Sequence, residues 1–162
     1  MEERLARAIL DVFKNHFNKY LSAIESKTPS SRLPNFYTVF FGDYKKIDGM
    51  PCLIITPTGW NKSTPEISYH EAMEIENVYR YQLTILIEGN DPFELEIRMM
   101  RYREAVIECL RDHYLLGGVA LGSIISSADN YNLAAGGGAN LILGTRMNLE
   151  VYSLHFDPDL IY

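Results

Sequence analysis

Gly136, Gly137 and Gly138 stand together in the stretch NLAAGGGANLILG, residues Asn132 to Gly144. Consecutive glycines let a backbone close around a phosphate. That chemistry needs a strand before the loop, a helix after it, and usually a lysine with a hydroxyl residue behind. Here the glycines are followed by Ala139, Asn140 and a strand-like run, so no helix N-terminus aims its amides at an anion. The stretch reads instead as an adaptable loop between strands, whose freedom costs entropy when it is ordered. We expect it to be mobile in the isolated chain and to order on assembly.

Glu71, Glu74 and Glu76 lie close to His70, and paired carboxylates beside an imidazole are the material of acid–base catalysis. In a strand, Glu74 and Glu76 share one face, which reads more simply as a solvated acidic edge. No GxSxG, no catalytic Cys–His signature and no acidic metal cluster accompanies them. The histidines His16, His70, His113 and His155 show no HxxxH-type spacing. His16 and His113 fall on the apolar faces of helices, where a core or rim histidine is the usual occupant. Cys52 and Cys109 form no CxxC and sit in apolar runs, which predicts two buried, reduced thiols. The expectation is therefore no catalytic residue, no metal site and no cofactor.

The elements that would position these groups follow from periodicity. At 162 residues the chain suits one domain, burying roughly 70% of its unfolded surface. A formal charge of −6 argues against non-specific attraction to nucleic acid or to an anionic membrane surface, both of which need clustered Lys and Arg, and no specific nucleic-acid binding is expected. The opening MEERLARAILDVFKNHFNKYL is broken by charge throughout, which predicts a soluble, non-secreted protein.

Leu5, Ile9, Val12, Phe13, Phe17, Tyr20 and Ile24 recur at helical period, predicting an N-terminal helix over 2–25. The linker 26–35 contains Pro29 and Pro34 and permits that helix to pack on its own sheet or on a neighbour's. FYTVFFGDY and PCLIITPTG, joined through Asp48-Gly49, predict an antiparallel hairpin. WNKSTPEIS, from Trp60 to Ser68, reads as an exposed polar loop. In NVYRYQLTILIEG, apolar and polar residues alternate, which is the clearest strand pattern in the chain. Asp91, Pro92 and Glu94 then supply an N-cap, a first-position proline and a capping-box acid for a helix reaching about Leu115. Leu115 to Gly118 provides glycines for its C-terminus, and Glu94 and Arg98 are spaced to pair on its solvent side. VALGSIISS, the loop 130–139 and RMNLEVYSLHF read as strand, turn and strand. The fold class is thus α+β: a mostly antiparallel sheet packed by a central helix, with an N-terminal helix and long exposed loops.

With chemistry set aside, recognition is what the loops offer. Tyrosine and tryptophan are enriched at protein interfaces, and Trp60 with Asn61 and Lys62, and Asn130 and Tyr131 with the three glycines, are the candidate interface residues.

This order of elements resembles the tail-completion, or tail terminator, proteins of tailed bacteriophages. The resemblance rests on the N-terminal helix, the strands flanking Asp48-Gly49, YRYQLTILIEG leading through GNDPF into ELEIRMMRYREAVIECL, and the closing TRMNLEVYSLHF. It implies a ring, a homohexamer, at the head-proximal end of the tail tube. Such a ring stops tube polymerisation and joins tail to neck and head, with itself, the tail tube protein and a head-completion protein as partners. It also implies a virion component assembled in the host cytoplasm. Another neck or tail-associated structural protein, a cellular adaptor and a ligand-binding enzyme using the glycine loop are the alternatives.

Overall fold

Leu5, Ile9, Val12, Phe13, Phe17, Leu21 and Ile24 line one stripe of the first helix, α1 (Glu2–Lys27), and all are buried. The structure, a computed structural model, describes residues 1–28, 32–42, 47, 49–62, 75–133 and 140–155. After α1 come β1 (Thr38–Phe41), β2 (Cys52–Lys62), β3 (Ile75–Gly89), α2 (Pro92–Asp112), a 3-10 turn (Leu116–Gly118), β4 (Gly122–Leu133) and β5 (Leu141–His155). The five strands form one sheet in the order β1-β2-β3-β5-β4, giving the α+β architecture the periodicities call for.

β3 carries the two-residue period furthest. Tyr81, Leu83, Ile85 and Ile87 face the helices and are buried in one core with Leu53 and Ile55 of β2, Met147, Leu149 and Val151 of β5, and both helices. The intervening Arg80, Gln82 and Thr84 pair across β5 with Glu150, Asn148 and Arg146. Those side chains lie on the face that neither helix covers, as alternation in an antiparallel sheet requires. α1 thus packs on its own sheet and on α2, and the linker holds it there. Tyr102 Oη of α2 donates to the Pro34 carbonyl at 2.6 Å, Leu33 N donates to the Glu25 carboxylate, and Phe36 stacks on Phe17 at 4.7 Å.

α2 begins as its sequence predicts. The Asp91 carboxylate accepts from Phe93 N at 3.0 Å, with Pro92 in the first turn. Its end differs: the helix stops at Asp112 with His113 as cap, and Gly117 and Gly118 take φ of 70° and 87° in the turn that follows. The glycines therefore reverse the chain toward β4 instead of capping α2. Arg98 does not turn to Glu94; its Nη2 donates to the Glu88 carbonyl at 2.6 Å, tying α2 back to the strand before it.

The expected hairpin of β1 and β2 is overturned, because these strands are parallel, with Thr38 opposite Cys52 and Phe41 opposite Ile55. A tight turn at Asp48-Gly49 would have made them antiparallel, but the connection is long enough to carry the chain back to its starting end. Apolar residues on that connection, Ile47 and Met50, pack against Phe40, Cys52 and Leu86 on the far side of the sheet. Covering these three residues is the physical reason for the return. Asp48 itself lies outside the described residues.

The loop expected from Trp60 is also corrected at its start. Trp60, Asn61 and Lys62 continue β2, opposite Tyr79, Val78 and Asn77. β2 gets past Pro57 through a register shift between Pro57 and Gly59, where Gly59 takes φ 134°. A bulge lets a proline sit within a strand without ending it. Asn130 and Tyr131 likewise belong to β4, not to a loop, and pair with Thr145 and Gly144. Pairing with β5 continues from Ser127 through Leu133, which extends β4 beyond what the polar run ADNYN suggested.

Candidate interaction surfaces

The candidate residues fall at opposite ends of the sheet. Trp60 sits across from Tyr79 on β3, its ring 6.0 Å from the tyrosine ring, and remains 52% exposed. Asn130 leads through Thr145 to Ile85 of the same strand. Six residues of β3 separate the two levels, about 20 Å at the rise of a strand. The structure therefore brings Trp60 and Asn61 together at one end and Asn130 and Tyr131 together at the other, and does not join the two groups. The Lys62 side chain, Gly136, Gly137, Gly138, His70, Glu71, Glu74 and the Glu76 side chain lie outside the described residues.

Each end is locally built. At the first, Asn61 accepts a hydrogen bond from the Arg80 guanidinium. Arg80 also reaches Glu150 at 3.6 Å, and the Tyr152 hydroxyl donates to Glu150 at 3.0 Å. This polar row crosses three strands on the uncovered face. At the other end the Arg146 guanidinium lies over the Tyr131 ring, 4.4 Å from its centroid. That ring is pressed against Gly144, where an added Cβ would stand 2.5 Å from Cζ. Asn130 Nδ2 meets Glu96 of α2 at 3.4 Å.

β4 is an outer strand, and among the described residues no strand flanks its far side. A register shift between Ile125 and Ser127 bends it, a common way of blunting an open edge. Between β4 and the last two turns of α2 runs an apolar groove of about 690 Å³, lined by Ile107, Arg111, Tyr114, Ile124, Ile125 and Tyr152. Ile124 is 55% exposed, with Ile107, Tyr114 and Leu121 also exposed nearby. On the opposite edge, Tyr37 and Phe41 are exposed around β1, and a smaller hollow of about 320 Å³ lies between Phe41, Leu10 and Arg7.

Both cysteines lie in the core and on none of these surfaces. Burial pushes the Cys52 thiol up to about 11 and the Cys109 thiol up to about 12, and both are free thiols in the core. Such thiols are poor nucleophiles at neutral pH. His16 and His113 are brought together by the crossing of α1 and α2, with ring centroids 4.2 Å apart. Sequence reading placed each on an apolar face but had no signal for their contact, which depends on where the helices cross. Among the described residues no group of three or more His, Cys, Asp or Glu side chains is placed to hold a metal ion. Among them also no helix is long and apolar enough to cross a membrane.

No family model matches the chain, and no curated protein sequence does. Among solved structures, one chain of 16% identity aligns over 92% of this chain and 97% of its own length, with a TM-score of 0.33. That score is too low to argue a shared fold from.

Proposed function

We propose that the chain is a structural protein of a tailed-phage virion that closes into a ring at the head-proximal end of the tail tube, ending tube growth and joining tail to neck. The observation that carries this reading is that the two outer strands present unlike surfaces. The β1 edge is short and apolar, with Tyr37 and Phe41 exposed, whereas β4 is long and polar beyond its bend, with Ser127, Asp129 and Asn130 exposed. Unlike surfaces on opposite edges suit a head-to-tail contact, which closes into a ring when its rotation permits. A hexamer is the ring size the family resemblance implies.

The separation of the candidate residues supports the same reading. If the strands run along the ring axis, Trp60 and Asn61 face one axial neighbour and Asn130 and Tyr131 the other, so that tube protein and head-completion protein each have a surface. Recognition by such a ring requires no catalytic residue and no cofactor, and a net charge of −6 weakens adhesion of DNA passing through it. Native mass spectrometry of the purified protein, alone and with tail tubes, tests the proposal. A closed oligomer in either condition is the expected result. A monomer that also fails to bind tubes overturns it.

A further inference from the structure

α2 carries two apolar stripes, and its own fold buries only one. Leu95, Met99, Tyr102, Val106 and Cys109 lie in the core. Phe93, Ile97, Met100 and Ile107 follow one another at spacings of four, three and seven, which sets them in a second line about 150° around the helix. Phe93 is 72% exposed, Met100 54% and Ile107 42%, and Tyr114, just past the helix end, is exposed as well. A helix apolar on two faces belongs in contact on both, and an exposed apolar line of this kind marks a protein interface. The charges beside the line name the partner. Reversing α2 about a point between Arg103 and Glu104 brings Arg103 opposite Glu104, Glu96 opposite Arg111 and Met100 opposite Ile107. A parallel copy would instead set each charge against its own kind. Within the single chain Arg111 makes only a 4.0 Å approach to Asp112, and Glu96 only a 3.4 Å contact with Asn130, so both can turn to a neighbour.

We propose that α2 pairs antiparallel with α2 of a second copy, about a two-fold axis that passes between Arg103 and Glu104. A two-fold contact is self-complementary, so each pairing occurs twice. Four-and-three spacing keeps the apolar line facing its partner along two helices that cross at a shallow left-handed angle. α2 has 21 residues, about 31 Å of helix. One helix from each copy is a small interface beside the standard of about 800 Å² per partner, so the dimer should form reversibly at micromolar concentrations. The contact uses no residue of the two outer strands and is independent of ring formation.

Disulfide trapping between full chains tests it. Chains with Met100→Cys and chains with Ile107→Cys, tagged to differ in mass, are mixed and oxidised mildly. The native thiols are buried with raised pKa values and stay out of the reaction. Antiparallel pairing should give the mixed disulfide at least about tenfold faster than either homodimer, because only the mixed pair sets the two sulfurs opposite each other. Sedimentation equilibrium of the chain without added cysteines gives the dimer constant. Arg103→Glu turns two attractions into two repulsions and should weaken the dimer by about tenfold, and Arg103→Glu with Glu104→Arg should restore it. Homodimer disulfides as fast as the mixed one overturn the proposal, as does the absence of any disulfide between chains, including within a ring held by other surfaces. Association indifferent to Arg103→Glu, or not restored by the charge swap, overturns it too.

Discussion

The imidazole of His16 lies flat on that of His113, ring centroids 4.2 Å apart and planes 18° from parallel, where α1 crosses α2. Tyr20 of α1 meets the His113 ring edge-on at 6.3 Å and donates from its hydroxyl to Asp112 at 2.8 Å. The contact holds two ionisable rings, Lys19, Asp112 and a tyrosine in one corner, and its state of charge bears on how the helices stay together.

Stability should fall as this corner is acidified. Burial first, then His16 and Lys19, hold the His113 imidazole below its ordinary value of 6.5, against the opposite pull of Asp112. With the folded value depressed, the unfolded chain binds the proton more readily, so stability rises with pH across the window between the two values. The contribution is complete above about 6.5 and is lost as pH drops through the folded value. Urea denaturation of the wild type and of His113→Phe, which keeps a flat ring without a proton to gain, measures it. A flatter profile for His113→Phe between about pH 5 and about pH 7.5 is expected; identical slopes would remove His113 from the account.

Tyr102→Phe should loosen the linker. The Tyr102 hydroxyl donates to the Pro34 carbonyl at 2.6 Å, and its ring lies 5.6 Å from Phe36, which stacks on Phe17. Removing the hydroxyl leaves a part-buried carbonyl without this donor, a loss of about 1–2 kcal/mol. Chemical denaturation gives the stability change. Hydrogen exchange should show faster exchange at Leu33 and Phe36 while the β3 amides keep their protection.

What the sequence made legible was whatever repeats locally. The stripe of α1, the cap at Asp91 and the alternation of β3 each depend on residues within a few positions of one another, and all appear where expected. Misreadings arose where a distant partner decides. Pro57 and Gly59 look like the end of a strand, but pairing with β3 carries β2 on through Lys62. Asp48-Gly49 looks like a hairpin turn, but burial of Ile47 and Met50 on Phe40 and Leu86 sends the chain back parallel. Of the candidate surface, Trp60, Asn61, Asn130 and Tyr131 stand out in the sequence by residue type and by polar runs that read as loops, whereas in the structure they lie on strands. That they occupy opposite ends of one sheet is set by strand register, which no local pattern encodes.

Trp60→Ala and Phe17→Ala should separate assembly from folding. Phe17 is fully buried and packs on Phe13 and Phe36, so its truncation should cost about 3–5 kcal/mol. Trp60 is half exposed and touches Tyr79 with one face; its loss should change monomer stability by about 1 kcal/mol or less. In the ring reading, Trp60→Ala should nonetheless weaken binding to tail tubes or to the neck protein by tenfold or more, about 1.4 kcal/mol or above. Co-sedimentation with tails measures this, and undiminished binding would take Trp60 out of the interface.

Gly144→Ala tests how the far end of the sheet is built. An added Cβ would stand 2.5 Å from Cζ of Tyr131 and 2.8 Å from its hydroxyl, closer than packed atoms tolerate, so the ring must lift. Lifting it gives up the stack beneath Arg146, whose guanidinium lies 4.4 Å from the ring centroid. At a partly exposed site that stack is worth about 0.5–1 kcal/mol, and the displaced ring adds packing loss. A destabilisation of about 1–2 kcal/mol is expected for Gly144→Ala alone. If Tyr131 is the obstacle, the same change should cost far less on a Tyr131→Ala background, where the three atoms nearest the methyl group are gone. The double-mutant cycle isolates that coupling, and additive effects would mean that Gly144 is required for another reason.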